Sequence, residues 1–219
     1  IRFREVKTEN GVNFHLVFDN TPFYAESGGQ IGDTGIIMSM SKDNFAIIDT
    51  IKDDDYIIHV TNKMPNNQDS PFTGLVDKEK RFQIQSHHTS THLLNLALKK
   101  ILGSHVEQRG SMISEESFRF DFSHQSKLST KEISEVEDYV NNQIKESIDL
   151  VEDRSADYKE AIKNGAVGLF SEKYGDKVRT VRFNESYELC GGTHVKNTKD
   201  IGSFKIISIL SFCQFRQDI

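Results

Sequence analysis

The sequence predicts an α+β fold: a β-rich N-terminal lobe over residues 1–77, then an antiparallel sheet packed with helices over residues 78–219. Three observations predict it. Up to Asp77 the apolar residues come in short runs broken by turn signals. From Asp77 the apolar spacing becomes helical. Further on, alternating runs return between helical stretches, so helices and strands share the second part of the chain.

In the first part, "FHLVFD", "IIM", "FAIID" and "YIIHV" read as strands. "ESGGQIGDTG" at 26–35 is the strongest turn, with four glycines able to take positive φ or admit close backbone approach. "NKMPNNQDSP" at 62–71 carries two of the three prolines and reads as a loop. A helix follows, with Leu94, Ala97, Leu98 and Ile101 at helical spacing and a stop at Gly103. "FRFDF" at 118–122 alternates, so Phe118, Phe120 and Phe122 share one strand face. "STKE" predicts a capping box from Ser129 to Glu132, opening a helix with Ile133, Val136, Val140, Ile144 and Ile148 on one face. A short helix is expected near 156–164, stopping at Gly165. "KVRTVRF" and "GSFKIISIL" read as further strands.

A chain of 219 residues can bury a sizeable core, and 36% apolar with 27% charged residues fits a globular protein. No apolar run approaches the length of a membrane span, so no membrane partner is expected. Two cysteines, Cys190 and Cys213, argue against a disulfide framework and point to a reducing cytoplasm. The net charge of −6 argues against an extended nucleic-acid groove, while "KEKR", "KK" and "KVRTVR" leave room for local contacts. The first residue is Ile1 rather than Met, which leads us to expect a piece of something longer.

Two stretches carry chemistry. In "SHHTSTHLL", His88 and His92 are four apart in a helical context, so both rings leave the same face. That spacing suits a helical metal clamp, and equally two solvated or core histidines. In "ELCGGTHV", Cys190 and His194 flank two glycines in a tight loop. Together His88, His92, Cys190 and His194 form a tetrahedral N₃S set of the kind that binds Zn²⁺. Four protein ligands are the signature of a closed, structural zinc, whereas catalytic zinc keeps an open position. His87 points about 100° away from His88 on the helix and is left out; His105 and His124 are spare histidines nearby.

"TPFYAESGGQIGDTG", "HHTSTHLLNLALKKILGSHVEQRGSMI", "RFDFSH" and "ELCGGTHVKNTKDIGSFKIIS", in this order, resemble the editing domain of alanyl-tRNA synthetases and the related free-standing editing proteins. The resemblance runs from about Phe14 to Ser208. The editing domain of threonyl-tRNA synthetase shares the two paired motifs but lacks the "FYAESGGQ" lobe. The resemblance implies hydrolysis of mischarged Ser-tRNA(Ala) and Gly-tRNA(Ala), with the tRNA(Ala) acceptor end and the remaining domains of a parent synthetase as partners. It implies zinc on His88, His92, Cys190 and His194, and puts the editing-pocket glutamine at Gln108. Gln108, Cys190 and His92 are therefore the expected catalytic residues. Thr21, Gly28, Gly29, Gln30 and Gln108 are the expected substrate contacts, although Gly28 and Gly29 also fit a plain β-turn. "GGQ" is similar to a release-factor signature, but "FYAES" before it ties it to the alanyl family. Cys190 as a covalent nucleophile is a lesser alternative, since no histidine–acid relay beside it can be read from sequence.

The chain departs from the family after "FKIIS", where "ILSFCQFRQDI" lacks the family's paired arginines. Residues from about Ile209 onward are expected to pack poorly or pair differently, with Phe212 and Phe215 arguing for burial. Two rival functions remain: a zinc-stabilised tRNA-binding module without turnover, and a zinc hydrolase acting on a small ester.

Overall fold

A computed structural model describes residues 2–9, 11–39, 43–168 and 174–210. The seven strands that precede Asp77 are β1 (Arg2–Thr8), β2 (Gly11–Val17), β3 (Gly35–Ser39), β4 (Phe45–Ile47), β5 (Asp49–Asp53), β6 (Tyr56–Thr61) and β7 (Phe72–Val76). They form two antiparallel sheets, ordered β1-β2-β6-β5 and β4-β3-β7. Alternation explains the packing: in β4, Phe45 and Ile47 are buried and Ala46 faces out. Leu16, Phe23, Ile37, Phe45 and Ile47 make the apolar centre of this lobe.

Asp77 switches the chain to helix. Its carboxylate accepts from the Lys80 backbone N–H at 3.0 Å and caps α1 (Lys78–Leu102), which ends at Gly103 with φ 115°. A hairpin follows, β8 (Gln108–Ile113) against β9 (Phe118–Phe122), with a bulge between Gln108 and Gly110. The expected capping box opens α2 (Thr130–Lys145): Ser129 Oγ accepts from Glu132 N–H while the Glu132 carboxylate accepts from Ser129 N–H. A further sheet has the order β10-β11-β12, from β10 (Val151–Asp157), β11 (Lys177–Phe183) and β12 (Ser186–Leu189), with α3 (Tyr158–Lys163) after β10. A 3₁₀ turn occupies Thr198–Ile201. Leu93, Leu94, Ala97 and Leu98 of α1 pack on Val136, Val140 and Ile144 of α2 and on Val181 and Phe183 of β11, with all three phenylalanines of β9 against them. No helix of the described residues is long and apolar enough to cross a membrane.

The structure corrects several expectations. "GSFKIISIL" forms no strand over the described residues 202–210. Side chains of α2 take its backbone groups instead: Asn141 both accepts from Phe204 N–H and donates to Phe204 C=O, and Glu137 accepts from Ile206 N–H at 2.8 Å. Ile148 lies beyond the end of α2, on the apolar core through the following turn. β10 was not anticipated, because "VEDRSAD" is mostly exposed and has no apolar alternation. Ile209 packs against the second core and Leu210 is exposed, while the expectation for Phe212 and Phe215 lies outside the described residues.

The glycine-rich turn joins the two parts. Ile113 N–H donates to Gly29 C=O at 2.8 Å and Ile31 N–H donates to Ile113 C=O at 3.1 Å, so the turn rides on the end of β8. Arg81 of α1 forks onto buried Asp33 and also donates to Pro22 C=O at 2.9 Å. Gly28 and Gly29 have φ of 60° and 86°. A Cβ on Gly28 meets open space, whereas one on Gly29 falls 2.4 Å from Ser111 C=O. Gly28→Ala should therefore cost about 1–2 kcal/mol, the left-handed strain alone. Gly29→Ala should cost roughly 3 kcal/mol or more, strain plus overlap with β8. Urea unfolding of the two variants measures the difference, and equal losses would contradict the docked turn.

Candidate metal centre

The middle of α1 buries polar side chains: His88, Thr89, Ser90, Thr91, His92 and Asn95 are all inside. Such residues are seldom fully buried unless something satisfies them. His88 and His92 leave the same helix face with ring centroids 5.3 Å apart. After β12 the chain turns through Cys190–His194 and brings the His194 ring to 4.4 Å from that of His88 and 4.6 Å from that of His92. Cys190 Sγ lies 3.4 Å from His88 Nε2 and 3.3 Å from His194 Nε2. One ligand atom from each of His88, His92, Cys190 and His194 falls within 4.8 Å of the others.

The loop is held from behind. Arg179 Nη1 donates to Cys190 C=O at 2.8 Å and to Gly192 C=O at 2.6 Å, and its Nε donates to Glu152 at 2.8 Å. Gly192 is dictated by space: a Cβ there falls 2.0 Å from His88 Cε1 and 2.9 Å from Gln30 Oε1. The Gly192 N–H points at Cys190 Sγ at 3.4 Å.

Burial governs the charges. It pushes the His88 and His194 pKa values well below the ordinary imidazole range and lowers that of His92 to about 3, with neighbouring rings and Arg179 adding to the effect. Burial likewise pushes the Cys190 thiol up to about 12 and Glu188 up to about 7. His92 Nε2 and Glu188 Oε2 lie 3.6 Å apart, but a neutral ring makes this a polar contact rather than an ion pair. Asn95 Nδ2 donates to the other Glu188 oxygen at 3.0 Å.

These residues fit a metal ion. Burial keeps the three imidazoles neutral, as ligands must be, and a thiol that coordinated a metal would release its proton to solvent. Tetrahedral zinc with ordinary bond lengths sets S···N edges of about 3.5 Å, close to the 3.3 and 3.4 Å found here. His92 Nδ1 is buried without a hydrogen-bond partner among the described residues, an orphan that a metal ion would satisfy.

A cleft of about 430 Å³ opens beside the loop, lined by Gly192, His194 and the cations Arg81, Arg154, Arg179 and Lys196. A larger cavity of about 780 Å³ lies in the N-terminal lobe beside Thr21 and contains none of the four ligands. Chemistry places the candidate site at the smaller one.

Of the residues singled out in the sequence, the four candidate metal ligands come together. Gln30 is fully buried against His88 and Thr193. Thr21 is engaged within the N-terminal lobe, its hydroxyl 2.7 Å from His59 Nε2. Gly28 and Gly29 form the docked turn, and Gln108 stands half-buried at the start of β8 opposite Phe122, outside the lining of the cleft. His87 turns away to Ser114 C=O at 2.7 Å, and His105 pairs with His124 at 3.0 Å. Sequence reasoning missed Arg179, Thr89, Asn95 and Glu188. Arg179 sits in a strand read only as a basic cluster, and no local pattern distinguishes a loop clamp from a solvated cation.

Comparison with known proteins bears on the identity. Residues 178–212 match the family described as threonyl and alanyl tRNA synthetase second additional domain, and residues 3–72 match that of class II (A) tRNA synthetases. The alanine–tRNA ligase of Christiangramia forsetii is 50% identical over 206 residues, 94% of this chain. Those of Cytophaga hutchinsonii and Bacteroides fragilis are 47% and 46% identical, each over 95% of this chain. This chain is homologous to alanine–tRNA ligases. It spans 24% of the length of each of these relatives. The homologous segment takes in both paired metal motifs and the glycine-rich turn, and the synthetase relatives contain further domains beyond it.

Gly192→Ala tests the geometry directly. The added methyl overlaps His88, so metal content after purification without chelator should fall well below that of the wild type, with the circular dichroism spectrum retained. Unchanged metal content would mean that His88 is not held against Gly192.

Proposed function

We propose that this chain is the proofreading part of an alanine–tRNA ligase, hydrolysing the ester of mischarged Ser-tRNA(Ala) and Gly-tRNA(Ala) in the cytoplasm with Zn²⁺ at His88, His92, Cys190 and His194. The observation that carries the reading is the convergence of these four side chains beside a cationic cleft that His194 lines, in a chain homologous to alanine–tRNA ligases. When bound, a zinc ion supplies Lewis acidity and water activation to ester hydrolysis. The rest falls to the chain. Arg81, Arg154, Arg179 and Lys196 outweigh the one carboxylate of Glu152 in the lining, so the cleft is net positive and suited to the phosphates of a tRNA acceptor end, although Arg81 is paired with Asp33 and both Arg154 and Arg179 with Glu152. Arg179 and Glu152 hold the Cys190–His194 loop in place while substrate enters. His92 is oriented from Glu188, which Asn95 fixes in turn.

Gln108 is proposed as the residue that meets the serine hydroxyl, since its amide both donates and accepts. Gly28, Gly29 and Thr21 are proposed as substrate contacts. A site built to hydrogen-bond a hydroxyl rejects the analogue lacking it by roughly 10⁴-fold or more, which is what sparing Ala-tRNA(Ala) requires.

A second reading, a zinc-stabilised module that docks tRNA without turnover, is favoured by one observation: the chain itself brings four possible donors within 4.8 Å of one another, the number a closed structural zinc uses. Single-turnover deacylation of Ser-, Gly- and Ala-tRNA(Ala) separates the readings. The serine and glycine esters should be cleaved much faster than the alanine ester; binding without cleavage favours the module, and equal rates on serine and alanine esters reject proofreading.

Two variants follow. Cys190→Ala should lower deacylation by at least the roughly 10–100-fold that loss of a mere outer-shell partner costs. Its cooperative unfolding should persist, because Cys190 packs only on the margin of the main apolar core and the N-terminal core lies apart from it; full activity would make Cys190 a bystander. Gln108→Ala should narrow the serine-to-alanine rate ratio without lowering metal content, and an unchanged ratio clears Gln108 of selecting the hydroxyl.

A further inference from the structure

Gln30 comes from the glycine-rich turn of the N-terminal lobe, yet its wholly buried side chain reaches the Cys190–His194 loop and α1. The hydrogen bonds fix which way its amide points. Thr193 backbone N–H, which can only donate, lies 2.9 Å from Gln30 Oε1, and Gln30 Nε2 donates to Thr193 Oγ1 at 3.0 Å. The amide oxygen therefore faces His88, whose Nδ1 lies 2.7 Å from it. An oxygen can only accept, so His88 Nδ1 carries the hydrogen and Nε2 the lone pair. That lone pair belongs to the nitrogen 3.4 Å from Cys190 Sγ.

We propose that Gln30 is a positioning residue of the metal centre: its side-chain carbonyl fixes the His88 tautomer and ring orientation, and so makes the N-terminal lobe part of the ligand support. The proposal rests on the reading that the four side chains hold a metal. It differs from the substrate contact first expected of Gln30, because a fully buried amide whose oxygen and nitrogen already hold His88 and Thr193 has no face left for a ligand. It also gives the tight turn a purpose beyond reversal. Gln30 is held by paired bonds with Ser27, N–H to C=O at 3.0 Å and C=O from N–H at 3.1 Å, and Gly29 before it must lie flat on β8 to let the side chain pass inward. Partners that hold the second nitrogen of a ligating histidine commonly contribute 10–100-fold in metal affinity.

The test uses the whole chain with cobalt(II) as the probe, read by its visible d–d absorption and by competition with a chelator. Gln30→Met keeps the volume and removes the amide acceptor; Gln30→Glu keeps an acceptor facing both His88 and Thr193. The expected result is a cobalt affinity about 10–100-fold weaker with a shifted band for Gln30→Met, and a value close to wild type for Gln30→Glu. Wild-type affinity and spectrum in Gln30→Met would overturn the proposal, as would equal loss in both variants. Should Gln30→Met fail to fold, the ring ¹⁵N signals of His88 in the wild-type zinc-loaded protein decide: a protonated Nδ1 supports the proposal, and an Nδ1 bearing the metal or a lone pair refutes it. A wild type that takes up no cobalt defeats the metal reading and this proposal with it. Absence of deacylation in a cobalt-binding wild type would strike the proofreading reading and leave this inference intact.

Discussion

Three buried imidazoles and a half-buried thiol at one point constrain everything around them. Each prefers its neutral form there, since burial penalises the charged form. Their neighbours on α1 are polar as well and have to be satisfied internally. Ser90 Oγ donates back to Ser86 C=O at 2.8 Å, Thr91 Oγ1 to His88 C=O at 2.7 Å, and Thr89 Oγ1 accepts from Val195 N–H at 3.2 Å. Two buried atoms of α1 stay without a hydrogen-bond partner among the described residues, Asn95 Oδ1 and His92 Nδ1, and a metal ion at the cluster would satisfy the second. A helix turn that contributes so little hydrophobic burial is held by what surrounds it, and the apolar stretch from Leu93 to Leu98 supplies the anchorage one turn further on.

The four candidate ligands come from two segments, and a third holds them from outside. α1 gives a rigid i, i+4 pair; the Cys190–His194 loop gives the other two donors and is rigid only because Arg179 binds two of its carbonyls and Gly192 allows contact with His88. The N-terminal lobe closes the arrangement through Asp33 on Arg81, Gly29 on β8 and Gln30 on His88. The two family matches, over residues 3–72 and 178–212, fall on opposite sides of this junction. Gln30 and Thr193 are where the two matched segments touch.

Charge in this protein is a matter of place. The chain is acidic overall at −6, yet four cations line the cleft beside the cluster. A local positive wall in a concave, partly low-dielectric setting attracts a polyanion more effectively than net charge suggests. Glu152 keeps Arg179 from being a free phosphate ligand, and the same pairing aims the guanidinium at the loop carbonyls. One arginine thereby joins the cationic wall to the metal loop.

By itself the sequence determined whatever depends on neighbours a few residues apart. Asp77, the Ser129–Glu132 capping box and Gly103 set the ends of α1 and the start of α2, because caps satisfy backbone groups within one turn. The phenylalanine alternation of β9 and the two paired metal motifs were readable for the same reason, a fixed period along the chain. Only the tertiary structure decided the rest. β10 forms because β11 offers it a partner, not because "VEDRSAD" favours a strand, and "GSFKIISIL" forms none because Asn141 and Glu137 of α2 take its backbone groups first. Gln30 looked like a loop residue open to substrate, and Arg179 like one of several surface cations. Each acquires its role from partners 58 and 13 positions away, His88 and Gly192, and hydrogen bonds across such separations leave no periodic trace in a sequence.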